Sequence, residues 1–196
     1  MSIKTLKQLA VLRKQLGETE QMIDVLETQR RKVFQEQTAQ VQQQCLDAFF
    51  SYFAQDRDFE LDVYENSVTA RYLSLEITLT ALRDGSPDIL RMHIAGAQEV
   101  DVYHEIGLSL QTDASRRTAP ARMGGDTDLV RLANRLQDMR FRAGTVKEEI
   151  SALQRAQFAF VVRGLSPRSS QNNGTETFQE FTAYLDQEFQ LTALAA

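Results

Sequence analysis

The sequence predicts an α+β fold. We expect a long antiparallel helical hairpin, a coiled-coil stalk, with an inserted four-stranded antiparallel meander and a C-terminal amphipathic helix. Three observations lead to this prediction. Apolar residues follow a heptad repeat in two separate parts of the chain, and the apolar period falls to two residues between them. The last segment places aromatic residues at helical spacing.

The first long helix is predicted over residues 3–54, which contain no proline and only one glycine, Gly17. Its end, near residues 45–54, is rich in aromatic side chains, which predicts that it covers the apolar face of a sheet. The heptad positions before that end are Leu9, Leu12, Leu16, Thr19, Ile23, Leu26 and Val33.

Residues 58–111 alternate apolar and polar side chains, which is typical of strands with one buried face. Turn residues near Glu65-Asn66 and in Asp84-Gly85-Ser86-Pro87 separate the strands. The alternation changes phase at Tyr72-Leu73, which we interpret as a bulge within one strand. Four strands result.

The second long helix is predicted from Asp126 or Thr127, either of which can cap it, to about residue 163. Gly144, followed by a possible capping box, could break it, but the heptad phase continues and favours one continuous helix. The repeat consists of Leu129, Leu132, Leu136, Met139, Ala143, Val146, Ile150, Leu153 and Phe160, and only Gln157 interrupts it.

Charges beside the two heptad stripes predict how the helices pair. Acidic residues flank the first stripe and basic residues flank the second. An antiparallel register places Leu16 near Leu153, and it pairs the charges as Glu20 with Lys147 and Glu27 with Arg140. A parallel homodimer of each helix would instead crowd the arginines together.

The element boundaries predict five segments. The stalk takes residues 1–44 and 127–163, and the end of the first helix joins the meander over residues 45–111. A basic loop, 112–126, leads into the second helix, and a linker, 164–175, leads to the C-terminal amphipathic helix in 176–196.

Composition narrows the protein class. The net charge of -5 combines an acidic first half with a basic stretch over residues 113–170, where 11 basic side chains face 6 acidic ones. No apolar run approaches the roughly 20 residues of a membrane span, and no signal peptide is evident. One cysteine, Cys45, forms no internal disulfide, so we expect a cytoplasmic protein without a membrane partner.

Two groups of residues are candidate binding sites. Arg116, Arg117 and Arg122 precede a helix start and could contact an anion or nucleic acid, although a solvated loop is the simpler interpretation. The C-terminal helix could bind a partner, or dock on its own chain, through an aromatic face. The residues of that face are Phe178, Phe181, Tyr184, Leu185 and Phe189.

No residue pattern predicts catalysis, a metal site or a cofactor. His104 lies beside Asp101 and Glu105, but neighbouring strand residues point to opposite faces, and Cys45 falls on an apolar helix stripe. We therefore expect a protein that is not an enzyme.

The functional prediction is a coiled-coil interaction protein: an adaptor, a scaffold or a subunit of a homo- or hetero-oligomer that binds protein partners through helical surfaces. In element order, two helices flanking a run of hairpins over residues 3–160, the chain is similar to prefoldin. That resemblance implies a holdase chaperone as an alternative. A second alternative is nucleic-acid binding through the basic residues of 113–170.

Overall fold

The computed structural model of the protein describes residues 2–83, 88–96, 100–111, 118–125, 127–165 and 173–189. Within these residues the chain forms three helices and seven strands. The helices are α1 (Ile3–Phe53), α2 (Asp128–Leu153) and α3 (Phe181–Phe189). The strands are β1 (Glu60–Tyr64), β2 (Ser67–Tyr72), β3 (Leu75–Ala81), β4 (Asp88–Gly96), β5 (Val100–Gln111), β6 (Gln157–Leu165) and β7 (Asn173–Phe178).

The contacts divide the chain into two compact units. The helical unit contains Met1–Gln37 and Thr112–Ala156, and the sheet unit contains Thr38–Gln111 and Gln157–Ala196. Helix α1 contributes to both units, whereas α2 belongs to the helical unit. The strands and α3 belong to the sheet unit.

The sheet is an antiparallel meander of seven strands in sequence order, so the prediction of four strands is wrong. One missed boundary is the turn at Leu73-Ser74, which separates β2 from β3 where we predicted a bulge. Leu73 adopts a φ of 52°, a conformation that favours glycine, and its side chain is 90% exposed. Without glycine or asparagine at the turn, the sequence gives no signal for it.

The other missed strands lie after α2. This helix ends at Leu153 rather than near residue 163, and Gln157, the residue that interrupts the heptad repeat, begins β6. Phe158, Phe160 and Val162 alternate along β6, which pairs with β5. Phe160 fits the heptad repeat of a helix and also the alternation of a strand. Its spacing therefore could not distinguish a longer α2 from a separate strand.

The C-terminal helix begins later than predicted, and residues 190–196 of the predicted segment 176–196 lie outside the described part of the chain. Residues 173–178 form β7, and α3 covers Phe181–Phe189. The predicted linker 164–175 begins in β6 and ends in β7, and its residues 166–172 lie outside the described part of the chain. The predicted turn at residues 84–87 also lies outside it.

The helix interiors agree better with prediction. Helix α1 is continuous, and α2 continues through Gly144. Thr127 caps α2, because its side-chain oxygen accepts a hydrogen bond from the Val130 amide at 3.3 Å.

The core of the sheet unit lies between the apolar face of the sheet, the aromatic end of α1 and the helix α3. Gln42 Nε2 donates to the carbonyl oxygens of Leu82 and Ile89, and the Tyr52 hydroxyl donates to the Leu185 carbonyl oxygen. The most deeply buried side chains are Phe49, Phe53, Ile77, Leu79, Leu90, Met92, Ile106, Leu185 and Cys45.

The opposite face of the sheet is polar. Arg71 forms ion pairs with Asp62 and Glu76, and Arg91 pairs with Glu105 at 3.1 Å. Such cross-strand pairs are what a solvated sheet face presents, so we assign these carboxylates to the surface rather than to a reaction site.

Candidate interaction site

Helices α1 and α2 pack together through their heptad stripes. Ile23 and Leu26 of α1 form an apolar cluster with three α2 side chains, Ala143, Val146 and Ile150. All five side chains are buried, so burial of their apolar surface holds the pair together.

The two helices run parallel. Arg135 of α2 pairs with Glu20 of α1 at 3.3 Å, and Arg142 pairs with Glu27. In both pairs the residue numbers differ by 115. The second pair therefore lies seven residues further along α1 and also seven residues further along α2, as in parallel helices. The pair of Arg30 with Glu149 at 2.6 Å agrees with this direction.

The predicted antiparallel hairpin is therefore wrong, and with it the prefoldin-like arrangement. The predicted partners Glu20–Lys147 and Glu27–Arg140 are replaced by Glu20–Arg135 and Glu27–Arg142, and Leu16 does not meet Leu153. A parallel pair requires the chain to return along the helix before α2 begins.

The segment before α2 provides this return. Arg122 pairs with Asp138 at 3.1 Å, and the Met123 amide donates to Asn134 Oδ1 at 2.9 Å, so the segment lies antiparallel to α2. Sixteen residues separate β5 from α2, and a chain of that length can reach at most about 55 Å. The 26 residues of α2 span only about 39 Å, so the segment is long enough for the return.

One flank of the helix pair is closed by ion pairs, and the other flank is open. The pairs Glu20–Arg135 and Glu27–Arg142 lie along the closed flank. The open flank is a groove of about 390 Å³. The side chains and backbone that line this groove belong to Gln15, Glu18, Thr19, Met22, Arg140, Ala143, Gly144 and Lys147.

The groove combines an apolar, narrow floor with basic side chains. Ala143 and Gly144 have little or no side chain, so another backbone can approach closely. Within the described part of the chain, neither Arg140 nor Lys147 takes part in an ion pair. The antiparallel register predicted from the sequence pairs these two residues with Glu27 and Glu20, whereas the structure pairs those glutamates with Arg142 and Arg135.

Helix α1 also presents an exposed apolar stripe beside the groove. Met22 is 48% exposed and Val25 is 67% exposed, and Val11 lies fourteen residues before Val25 on the same side of the helix. These side chains are outside the stripe that packs on α2, so the sequence of α1 contains a second, shorter row of apolar residues.

The predicted partner-binding face of the C-terminal helix lies inside the sheet unit. Phe181, Tyr184 and Leu185 are buried, and Phe178 and Phe189 pack against the same core. These five side chains dock on their own chain, which was the other possibility for this helix, so we argue no partner surface from them.

The arginines of the predicted anion site are not brought together by any described contact. Arg116 and Arg117 lie outside the described residues, and Arg122 is exposed and paired with Asp138. Arg135, Arg142 and Arg163 of the basic stretch also pair with carboxylates, of which the partner of Arg163 is Asp88. Internal pairing therefore accounts for much of the basic excess.

One buried polar cluster joins α3 to β5. Burial, with the charge of Glu188, raises the pKa of Tyr184, and its hydroxyl is hydrogen-bonded to His104 Nδ1 at 2.5 Å. The other ring nitrogen of His104, Nε2, lies 4.0 Å from Glu188 Oε1. Burial lowers the pKa of His104, against the opposing charges of Glu188 and Glu176. The cluster fixes the position of α3.

The described residues offer little other chemistry. Burial raises the pKa of the Cys45 thiol to about 12, so it is a core side chain and not a nucleophile at neutral pH. No group of three His, Cys, Asp or Glu side chains in the described ranges is placed to hold a metal ion. None of the described helices is both long and apolar enough to cross a membrane.

The groove is thus the strongest candidate site. A comparison of the chain with known protein families, with curated proteins and with solved structures finds no match.

Proposed function

We propose that this protein is a non-enzymatic interaction protein, an adaptor or a subunit of an assembly, and that its helix pair binds a further helix along the open flank. The observation that carries the proposal is the difference between the flanks. Ion pairs close one flank, while the other combines a groove of about 390 Å³ with an exposed apolar stripe.

Helix packing gives the physical reason. A third helix in the groove would cover Met22 and Val25 and remove their apolar surface from water, which stabilises the complex by about 25 cal/mol per Å². Ala143 and Gly144 leave room for the side chains of that helix. The bound helix would extend the heptad packing of the existing pair.

The experiment is a quantitative capture from native lysate by the tagged full chain. The test variant carries Met22→Glu and Val25→Glu, two exposed positions where a charge should not disturb folding. The control is Leu73→Glu, which also replaces an exposed apolar side chain by glutamate but lies in the sheet unit. We expect one protein at fixed stoichiometry with the wild type and the control, and its loss with the test variant.

Other outcomes would contradict the proposal. If the variant with Met22→Glu and Val25→Glu still retains the partner protein, the groove is not the binding site. Retention abolished by nuclease would favour nucleic-acid binding, and a diffuse set of clients with suppressed aggregation of unrelated proteins would favour a holdase.

A further inference from the structure

We infer that the helix received by the groove is acidic: it carries carboxylates about one heptad apart that pair with Arg140 and Lys147. This inference rests on the proposed function and deepens it by naming the partner's chemistry. It begins from the charges that the fold leaves uncompensated on one flank.

The two flanks of the helix pair differ in what α1 offers to the basic residues of α2. On the closed flank, Glu20 and Glu27 face arginines of α2. Across the open flank, α1 instead contributes Gln15 and Met22 to the groove that Arg140 and Lys147 line. Gln15 and Met22 are neutral where their counterparts on the closed flank are acidic, and Glu18 is the one acidic side chain that α1 adds to the groove lining.

The remaining charge in the groove, that of Glu18, compensates at most one of the two cations. Glu18 lines the groove, but its carboxylate pairs with Lys14 of the same helix at 3.8 Å. The three ionisable side chains of the groove are therefore Glu18, Arg140 and Lys147, with a net charge of +1 at neutral pH. An incoming segment gains most if it brings negative charge.

The spacing of the cations specifies the form of that segment. Arg140 and Lys147 are seven residues apart on one helix, so they lie on the same side and about 10 Å apart along its axis. A helix packed alongside repeats its own flanking positions at the same interval. Its apolar residues would cover Met22 and the floor at Ala143 and Gly144, and its carboxylates would flank that stripe.

A second copy of this chain fits the groove less well. Two grooves packed face to face would bring together four cations and two carboxylates, so like charges would repel. Nucleic acid would meet the exposed apolar side chains of Met22 and Val25, which phosphate contacts do not cover. A separate acidic helix satisfies the charges and the apolar surface together.

The test uses two synthetic amphipathic peptides of four heptads, with identical apolar residues and with either glutamate or lysine at the flanking positions. Binding to the full chain is measured by fluorescence anisotropy at low and physiological salt. We expect the glutamate peptide to bind at least tenfold more tightly than the lysine peptide, with a difference that shrinks as salt rises.

Charge reversal supplies the matched comparison. Arg140→Glu with Lys147→Glu should invert the preference between the peptides. Lys7→Glu with Arg31→Glu changes the net charge of the chain equally at exposed positions outside the groove and should leave the preference unchanged. Far-ultraviolet circular dichroism checks that all variants are equally helical.

Several results would overturn the inference. They are equal binding of both peptides, binding of neither, and a preference that survives Arg140→Glu with Lys147→Glu. Concentration-dependent dimers in sedimentation that Met22→Glu abolishes would identify a second copy as the occupant. If peptides bind without charge preference but Met22→Glu with Val25→Glu prevents binding, the docking groove stands and only the acidic partner fails.

Discussion

The position of Leu185 gives the sharpest test of the sheet unit. This side chain is 0% exposed and belongs to the core between α3, the end of α1 and the sheet. The hydroxyl of Tyr52 also donates to its carbonyl oxygen at 3.2 Å. If α3 is part of the core, Leu185→Ala must lower the free energy of unfolding, whereas a leucine reserved for a partner would leave it unchanged.

The expected loss follows from the atoms removed. Leucine to alanine deletes three carbon groups from the core, each worth about 0.8 kcal/mol when buried. The cavity that remains adds to this loss, because the sheet and α1 relax only in part. We expect the free energy of unfolding to fall by about 3 kcal/mol, which corresponds to a Tm lower by about 10 °C.

The assay is urea unfolding followed by circular dichroism, with the thermal midpoint as a second measurement. Leu73→Ala serves as the control, because it removes the same atoms from a side chain that is 90% exposed. We expect the control to change the free energy of unfolding by less than about 0.5 kcal/mol. A Leu185→Ala loss as small as that of the control would refute the placement of α3.

Three further predictions test other parts of the structure. Burial lowers the pKa of His104, so below about pH 6.5 the unfolded chain binds more protons than the folded chain. The free energy of unfolding should therefore be retained above that pH and fall below it. Urea midpoints at pH 7.5 and 5.5 measure this fall, which should be smaller in His104→Gln. Leu73→Gly should raise the free energy of unfolding by about 1 kcal/mol in thermal or urea unfolding, because it relieves the φ of 52°, and a loss of stability would contradict the turn. Cys45, whose pKa is raised to about 12, should react with a chromogenic thiol reagent only after unfolding, so rapid reaction of the native protein at pH 7.5 would contradict its burial.

The sequence predicted that the three helices exist, but not the end of α2 or the start of α3. It also predicted the polar and apolar faces of the sheet and the burial of Cys45, because periodicity reports these directly. It missed the β2–β3 turn because Leu73-Ser74 lacks the usual turn residues. It missed β7 because Asn173–Phe178 has only one apolar residue, Phe178. It missed β6 because Phe160 also fits a heptad position. These failures are local and concern turn chemistry, a strand of low hydrophobicity and a strand whose spacing also fits a helix.

The direction of the helix pair could not be read from charge pattern alone. Basic residues flank both sides of the α2 stripe, so Glu27 finds an arginine in either direction, Arg140 in the antiparallel register and Arg142 in the parallel one. The length of the segment before α2, which permits a return, was the remaining clue. Because direction was missed, the groove was missed as well.

The parallel register of α1 and α2 decides which side chains share the groove. Its direct test is the distance between spin labels at Lys7→Cys and Ser151→Cys, in a chain that also carries Cys45→Ala. From the pairs Glu27–Arg142 and Arg30–Glu149, Ser151 lies beside a part of α1 roughly 25 residues after Lys7, which corresponds to about 37 Å along the axis. A distance near 37 Å would support the parallel pair and its open flank. A distance near 20 Å, expected for an antiparallel hairpin with helices about 10 Å apart, would contradict both.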